Sequence, residues 1–317
     1  MTMRITTMNR LYVFLFLASI SASEKIRYDG HKLYKVHVDN YDSLNALTNM
    51  QEDEGYNFWN LTRMNDSSLI VVAPKRIDEF EKIVNSNKMS ATLMMDDLQR
   101  YIDEENPNVD GRRTFDWTAY YRLDVNRLWR KNLKRYGLRC KGVDLNRNWE
   151  SHWAEIGTSS NPCAETYPGP KAFSEIESKS MSRFLKSIPE KLTAYLAFHS
   201  FSQLLLIPFG HSNERIDNYD DLMEIGKFSV KALSKRYGID YTVGNVVDVI
   251  YPAAGSSMDW VRAAIGPRIT YTYELRDKGR YGFLLPANQI IPTGEETMDS
   301  LIGMFQKALD LGYGSRP

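Results

Sequence analysis

Apolar and polar positions alternate early in the chain and later give way to helical and strand-like runs. Tyr34, Val36 and Val38 alternate with Lys35, His37 and Asp39, the period of a half-buried strand. Asp42 to Met50 reads as a short helix, Tyr56 to Thr62 and Ser68 to Ala73 as strands, and Ala91 to Met95 as a further strand. Between them Ile77, Phe80, Ile83 and Val84 recur at helical spacing. The resulting order, strand-helix-strand-strand-helix-strand, predicts a small α+β unit of the ferredoxin-like kind.

From Thr114 onward the pattern is that of an α/β domain. Ser174 with Glu177 forms a capping box ahead of Ile176, Met181, Phe184 and Leu185. Thr293 with Glu296 forms another ahead of Met298, Leu301, Ile302, Phe305 and Leu309. A third helix runs from Leu222 to Tyr237 and stops at Gly238. Leu192 to Phe198 and Ile269 to Tyr273 are apolar strands suited to a covered sheet. Joining the two units, Asp103 to Asp110 is acidic and contains Pro and Asn, and leads into Gly111-Arg112-Arg113-Thr114. Two arginines there suit a trypsin-like protease, or are simply a solvated charge pair.

The N-terminus carries Arg4 and Arg10, an apolar run of 10 residues from Leu11 to Ile20, then Ser21, Ala22 and Ser23. That is the grammar of a secretory leader, half the length of a bilayer span, and it predicts a secreted product with no membrane anchor. Lys plus Arg equals Asp plus Glu at 40 each, so no charge footprint for nucleic acid exists. Cys140 and Cys163 are the only cysteines, an even count in a chain bound for an oxidising compartment, and one disulfide is expected. Such a loop contributes about 3 kcal/mol. In a secreted chain, Asn60-Leu61-Thr62 and Asn65-Asp66-Ser67 become candidate glycosylation acceptors.

The candidate chemistry sits at strand ends. His199 and Glu274 each follow an apolar strand, where open α/β sheets present functional groups. Asn146 and Arg147, within Asp144-Leu145-Asn146-Arg147-Asn148-Trp149, offer an amide and a planar fork suited to a carboxylate. Together, Trp129-Arg130-Lys131, Gly142 to Trp149, Ser160-Asn161-Pro162-Cys163, His199 to Leu206 and Tyr273 to Pro286 resemble the zinc metallocarboxypeptidases of the A/B kind. The resemblance implies a secreted precursor in four parts: leader 1–23, activation segment 24–103, linker 104–113 cut after Arg113, and catalytic domain 114–317. It further implies a Cys140–Cys163 pairing, His199 as a zinc ligand, Glu274 as general base and Arg130 as oxyanion stabiliser. Asn146, Arg147 and Tyr251 would hold a peptide's terminal carboxylate, and Asp144 would orient a metal-bound His from behind. Met258 would floor the side-chain pocket and select apolar or aromatic C-termini, because an unpaired cation against a thioether is costly.

The same family supplies zinc with an early His-x-x-Glu pair plus a later His, and here the early pair is missing. His152 with Glu155 and His211 with Glu214 have the spacing by coincidence, and His31 and His37 belong to the activation-like unit. After Arg113 only 204 residues remain, roughly a hundred fewer than such a domain takes. Asp124-Val125-Asn126-Arg127 follows too soon on the start of the domain, so a block is absent at the Leu123-Asp124 junction. The expected fold is therefore a truncated carboxypeptidase-like mixed sheet with flanking helices, an uncovered strand edge and an exposed core face. A missing exon, an inert splice form or a non-catalytic relative would each give this sequence, and the abrupt junction favours the first. The predicted function is a zinc-dependent carboxypeptidase precursor acting on peptide C-termini, inactive as written. The alternative is a non-catalytic secreted protein with a weak carboxylate pocket.

Overall fold

The computed structural model describes residues 26–60, 62–105, 126–136 and 139–313. The leader, Arg113, Leu61 of the first acceptor motif and the Leu123-Asp124 junction lie outside the described residues.

The N-terminal unit runs β1 (Lys32–Val38), α1 (Tyr41–Met50), β2 (Tyr56–Phe58), β3 (Asp66–Val72), α2 (Ile77–Ser86), β4 (Ser90–Met95) and α3 (Leu98–Glu104). Its sheet order, β2-β3-β1-β4 with antiparallel neighbours, is the ferredoxin-like arrangement that the element order predicts. Tyr34, Val36, Val38, Ile70 and Val72 pack against Leu47, Phe80 and Val84 of the two helices. Alternation turns Leu33, Leu69 and Val71 to the other face, where they meet Phe201 and Leu284 of the second unit. β2 ends at Phe58 rather than Thr62, because the Asn60 side chain accepts from the Leu69 N–H and donates to the Ser67 carbonyl. That bond also occupies the nitrogen a glycan would need. The pattern reading missed α3, although Asp97 caps it and Leu98 and Ile102 are buried one turn apart.

The second unit contains β5 (Arg135–Tyr136), β6 (Cys140–Lys141), α4 (Ile176–Lys186), β7 (Ala194–Ser200), β8 (Leu204–Ile207), α5 (Tyr219–Tyr237), β9 (Thr242–Asn245), α6 (Val246–Val249), α7 (Ser257–Ala264), β10 (Ile269–Leu275) and α8 (Ile290–Asp310). The sheet order is β7-β10-β8-β9. β7 runs parallel to β10 and β8 to β9, while β10 and β8 are antiparallel, so the sheet is mixed. On one face α5 and α8 enclose Leu205, Ile207, Tyr271 and Tyr273. On the other, Trp149, Leu185 and Trp260 form one cluster, and Leu204, Leu206, Val246 and Met258 a second. Cys140 and Cys163 are bonded, as expected.

Three helix expectations need correction. Ser174 does not cap α4: the helix starts behind Glu175, and the Ser174 hydroxyl donates to the Glu175 carboxylate instead. Glu175 is spent on Asn132, Lys134 and Tyr136, which fasten the segment after Arg130 to the domain. Thr293 and Glu296 lie inside α8, where Glu296 grips Arg276 at the end of β10. Finally, the apolar residues expected to bury α4 and α8 are in large part exposed: Ile176, Met181 and Phe184 on α4, and Met298, Ile302, Phe305 and Leu309 on α8. Each helix is amphipathic toward a layer that the described residues do not provide.

Two stability predictions follow from these ion pairs. Arg276 and Glu296 are both buried, so Glu296→Ala leaves a guanidinium without its partner and should cost about 3–5 kcal/mol in urea unfolding. Burial raises the affinity of Glu175 for a proton, yet donors from Tyr136, Asn132, Ser174 and Lys134 outweigh it and hold the carboxyl below its ordinary 4.5. On acidification the unfolded chain takes up this proton first, so the stability Glu175 provides is full above 4.5 and is lost as pH falls through its depressed value. Thermal melts from pH 7 to pH 3 should therefore fall less steeply for Glu175→Gln than for the parent.

Candidate active site

The parallel ladder sets Glu274 of β10 directly beside His199 of β7. Both open into a cavity of about 310 Å³ that Arg130, Asn146, Arg147 and Tyr251 also line. His199 and Glu274 therefore come together with Arg130, Asn146, Arg147 and Tyr251, as the resemblance implied. The wall opposite them comes from the N-terminal unit: Lys35, Trp59, Asn60 and Arg63 face the same space, and Arg63 donates to the Ile250 carbonyl beside Tyr251. Sequence reading gave no signal for these contacts, since they join residues nearly two hundred positions apart.

Local backbone geometry explains the Gly142 to Trp149 motif. Gly142 has φ +78, and a side chain there would collide with the Asn132 carbonyl, so only glycine lets the chain turn into Val143 and Asp144. The Asp144 carboxylate accepts the Asn146 N–H and so caps the short turn Leu145–Arg147. Asn146 in turn accepts the Ser257 N–H through Oδ1, and the Arg147 guanidinium donates to Gly157 and Asn146 carbonyls. Asn148 is fully buried, its amide giving hydrogen bonds to Pro168, Lys171 and Ser174 and accepting from Glu175 and Ser178. Its place inside the motif was the only clue to this role. Lys131 reaches the carbonyls of Pro162, Cys163 and Ala164, and so ties the disulfide loop to the site.

Asp144, expected to orient a metal-bound His, is instead bound by Arg130 at 2.8 Å through Nε and 2.7 Å through Nη2. The neighbouring Asp144 raises the Arg130 pKa. Asp144 itself is pushed up by burial but held below its ordinary value overall by Arg130 and Arg147. Burial, helped by the same two cations, lowers His199 to about 4, so its imidazole is neutral at pH 7. Burial also raises Glu274 to about 8, against the pull of Arg130 and Arg147. A second cavity of about 740 Å³ adjoins this one, sharing Arg130, Arg147 and Tyr251 and reaching Glu165, Leu275 and the Met298 face of α8. Met258 lines neither cavity; it is buried under Leu204 and Leu206, with Thr272 donating to its sulfur.

The donor set does not fit catalytic zinc, which takes three protein ligands and one open position. Among the described residues, no group of three or more His, Cys, Asp or Glu side chains could hold a metal ion. All five histidines are described, and the other four lie elsewhere. His31 and His37 are in the N-terminal unit. The His152 and His211 rings stack at 3.7 Å, but their Nδ1 atoms turn to different carboxylates, Glu155 and Asp259.

The site is thus the crevice of a mixed sheet where His199 and Glu274 meet Arg130, Asn146, Arg147 and Tyr251, fronted by a ferredoxin-like unit. The chain belongs to the zinc carboxypeptidase family, whose signature matches residues 81–300, while the carboxypeptidase activation peptide matches residues 34–105. The overlap at 81–105 falls on α2, β4 and α3, which are built into the N-terminal unit, so the activation-peptide match describes that stretch. Zinc carboxypeptidase A 1 of Anopheles gambiae is 34% identical, with 93% of each chain covered. A zinc carboxypeptidase of Simulium vittatum is 53% identical over 68% of this chain and 75% of its own length. The fold matches the crystal structure of thrombin activatable fibrinolysis inhibitor with a TM-score of 0.80 at 19% identity, covering 89% of this chain and all of the other. The Anopheles alignment runs over 404 positions against a chain of 317 residues, so at least 87 positions hold residues of the relative alone.

Asn148 offers a test of how the site is held. Asn148→Ala leaves several buried polar groups unpaired and should lower stability by about 3 kcal/mol, measured by urea unfolding.

Proposed function

We propose that this chain has the architecture of a secreted zinc carboxypeptidase precursor but, as written, neither retains zinc nor releases C-terminal residues. One observation carries the reading. His199 stands as the single imidazole donor in the site, with no group of three metal-binding side chains among the described residues. A hydrolytic zinc site depends on such a group to keep the ion while one position stays open for water. Arg130, Asn146, Arg147 and Tyr251 would still receive a peptide's terminal carboxylate, through charge-assisted bonds from a guanidinium fork and an amide. In a competent relative of this design, Glu274 would serve as base and Arg130 would meet the developing oxyanion. Residues 24–103 act as an activation segment over the cavity, 104–113 as the linker cut after Arg113, and 114–317 as the shortened catalytic domain. A C-terminal side chain would be apolar or aromatic, in keeping with Leu204, which lines the cavity and packs on Met258.

The test combines metal content with turnover. After cleavage at Arg113, incubation with zinc and desalting, the protein should hold far less than one zinc per chain, and it should release no Phe from a peptide ending in Phe. Stoichiometric zinc together with Phe release would refute the reading. Genomic DNA that encodes a His-x-x-Glu block in frame between the codons for Leu123 and Asp124 would assign the inactivity to this form of the chain rather than to its gene.

A further inference from the structure

The sheet of the second unit stops abruptly. Among the described residues, β7 pairs only with β10, so every second N–H and C=O along its outer edge lacks a strand partner. Its sequence, Ala194-Tyr195-Leu196-Ala197-Phe198-His199-Ser200, contains no Lys, Asp, Glu or Pro, the residues that ordinarily keep an edge from pairing. Beside this edge Phe198 stacks on Tyr273 and remains 50% exposed. On the same side of the sheet, α8 presents Ile291, Met298, Ile302, Phe305 and Leu309 outward, at intervals of seven, four, three and four. That is the spacing of a helix–helix seam, on a helix whose opposite face is already packed against α5.

We propose that this face binds a second copy of the same chain. Two β7 edges pair antiparallel, which joins two four-stranded sheets into one of eight strands. In such a pairing the twofold axis stands perpendicular to the sheet, so both α8 helices fall on the same side and run antiparallel along their seams. Pairing centred on Ala197 sets Leu196 of each copy opposite Phe198 of the other, both on the α8 side. Six half-exposed side chains at roughly 100 Å² each give on the order of 600 Å² of apolar surface per copy. With the strand backbone and its rim added, that approaches the ~800 Å² per partner of a stable interface, and it lies at the top of the range for a monomer's largest patch. A different partner would have to bring both a free strand and an apolar helix stripe. The second copy brings both by identity, and the contact closes at two because each edge is used once. The proposal goes beyond the reading of the site and holds whether or not metal is bound.

Light scattering on the full purified chain at tens of micromolar should give twice the chain mass, falling toward the single-chain mass on dilution. The double variant Met298→Glu/Ile302→Glu should be monomeric with an unchanged circular dichroism spectrum. Tyr41→Glu, at a fully separate exposed position on α1, should remain dimeric. As a readout independent of any variant, amide hydrogen exchange along 195–199 should be slow at high concentration and fast after dilution. A monomer at tens of micromolar with fast exchange along β7, an aggregate that grows without limit, or a dimer that survives the two glutamates with its fold intact would each overturn the proposal.

Discussion

The parallel ladder between β7 and β10 is the constraint on which the rest of this molecule turns. Because the strands run parallel and in register, His199 and Glu274 emerge as neighbours at the same end of the sheet, where the crevice opens. The same ladder makes β7 the last strand. On the side where a further strand would continue the sheet, the described residues offer none, so one imidazole faces the cavity without companions while Phe198 stands open beside it. The lone imidazole and the uncovered apolar face are two consequences of one boundary.

Electrostatics around that boundary are nevertheless well organised. Arg130 and Arg147 set the local field, Asp144 anchors Arg130, and burial decides the protonation of both strand-end groups, leaving imidazole and carboxyl neutral near pH 7. Charge is thus concentrated on the guanidinium groups, the pattern suited to gripping a carboxylate. The N-terminal unit closes over it through Trp59 and Arg63, and its Leu33, Leu69 and Val71 pack directly on Phe201 and Leu284. One side of the pocket is thus covered by the chain's own N-terminal unit.

Much of this was legible in the sequence because it rests on local chemistry. Alternation over Tyr34 to Val38 and the stop at Gly238 translate into structure within a residue or two, since strand and helix periods are properties of the nearby chain. Within Gly142 to Trp149 the Asp144 cap on Leu145–Arg147 is equally local, whereas Gly142 turns beside Asn132 and Asn146 holds the Ser257 N–H, partners the motif does not name. Where the reading failed, a distant partner decided. Ser174 looked like a cap until Asn148 and Glu175 claimed its hydroxyl, and Glu296 looked like a capping acid until Arg276 claimed its carboxylate. Met258 looked like a pocket floor, but Leu204 and Leu206 lie over it.

The sequence by itself determined the strand-helix-strand-strand-helix-strand order of the N-terminal unit, and three helices and two strands of the second, because each follows from residue identity and short-range spacing. Only the tertiary structure decided that the two His-x-x-Glu strings meet as a stacked pair rather than a cage, that Asp144 serves Arg130, and that α4 and α8 keep apolar faces outward. Those outcomes depend on which surfaces meet across long stretches of chain. An amphipathic period names a face to be buried, but only packing reveals whether anything is there to bury it.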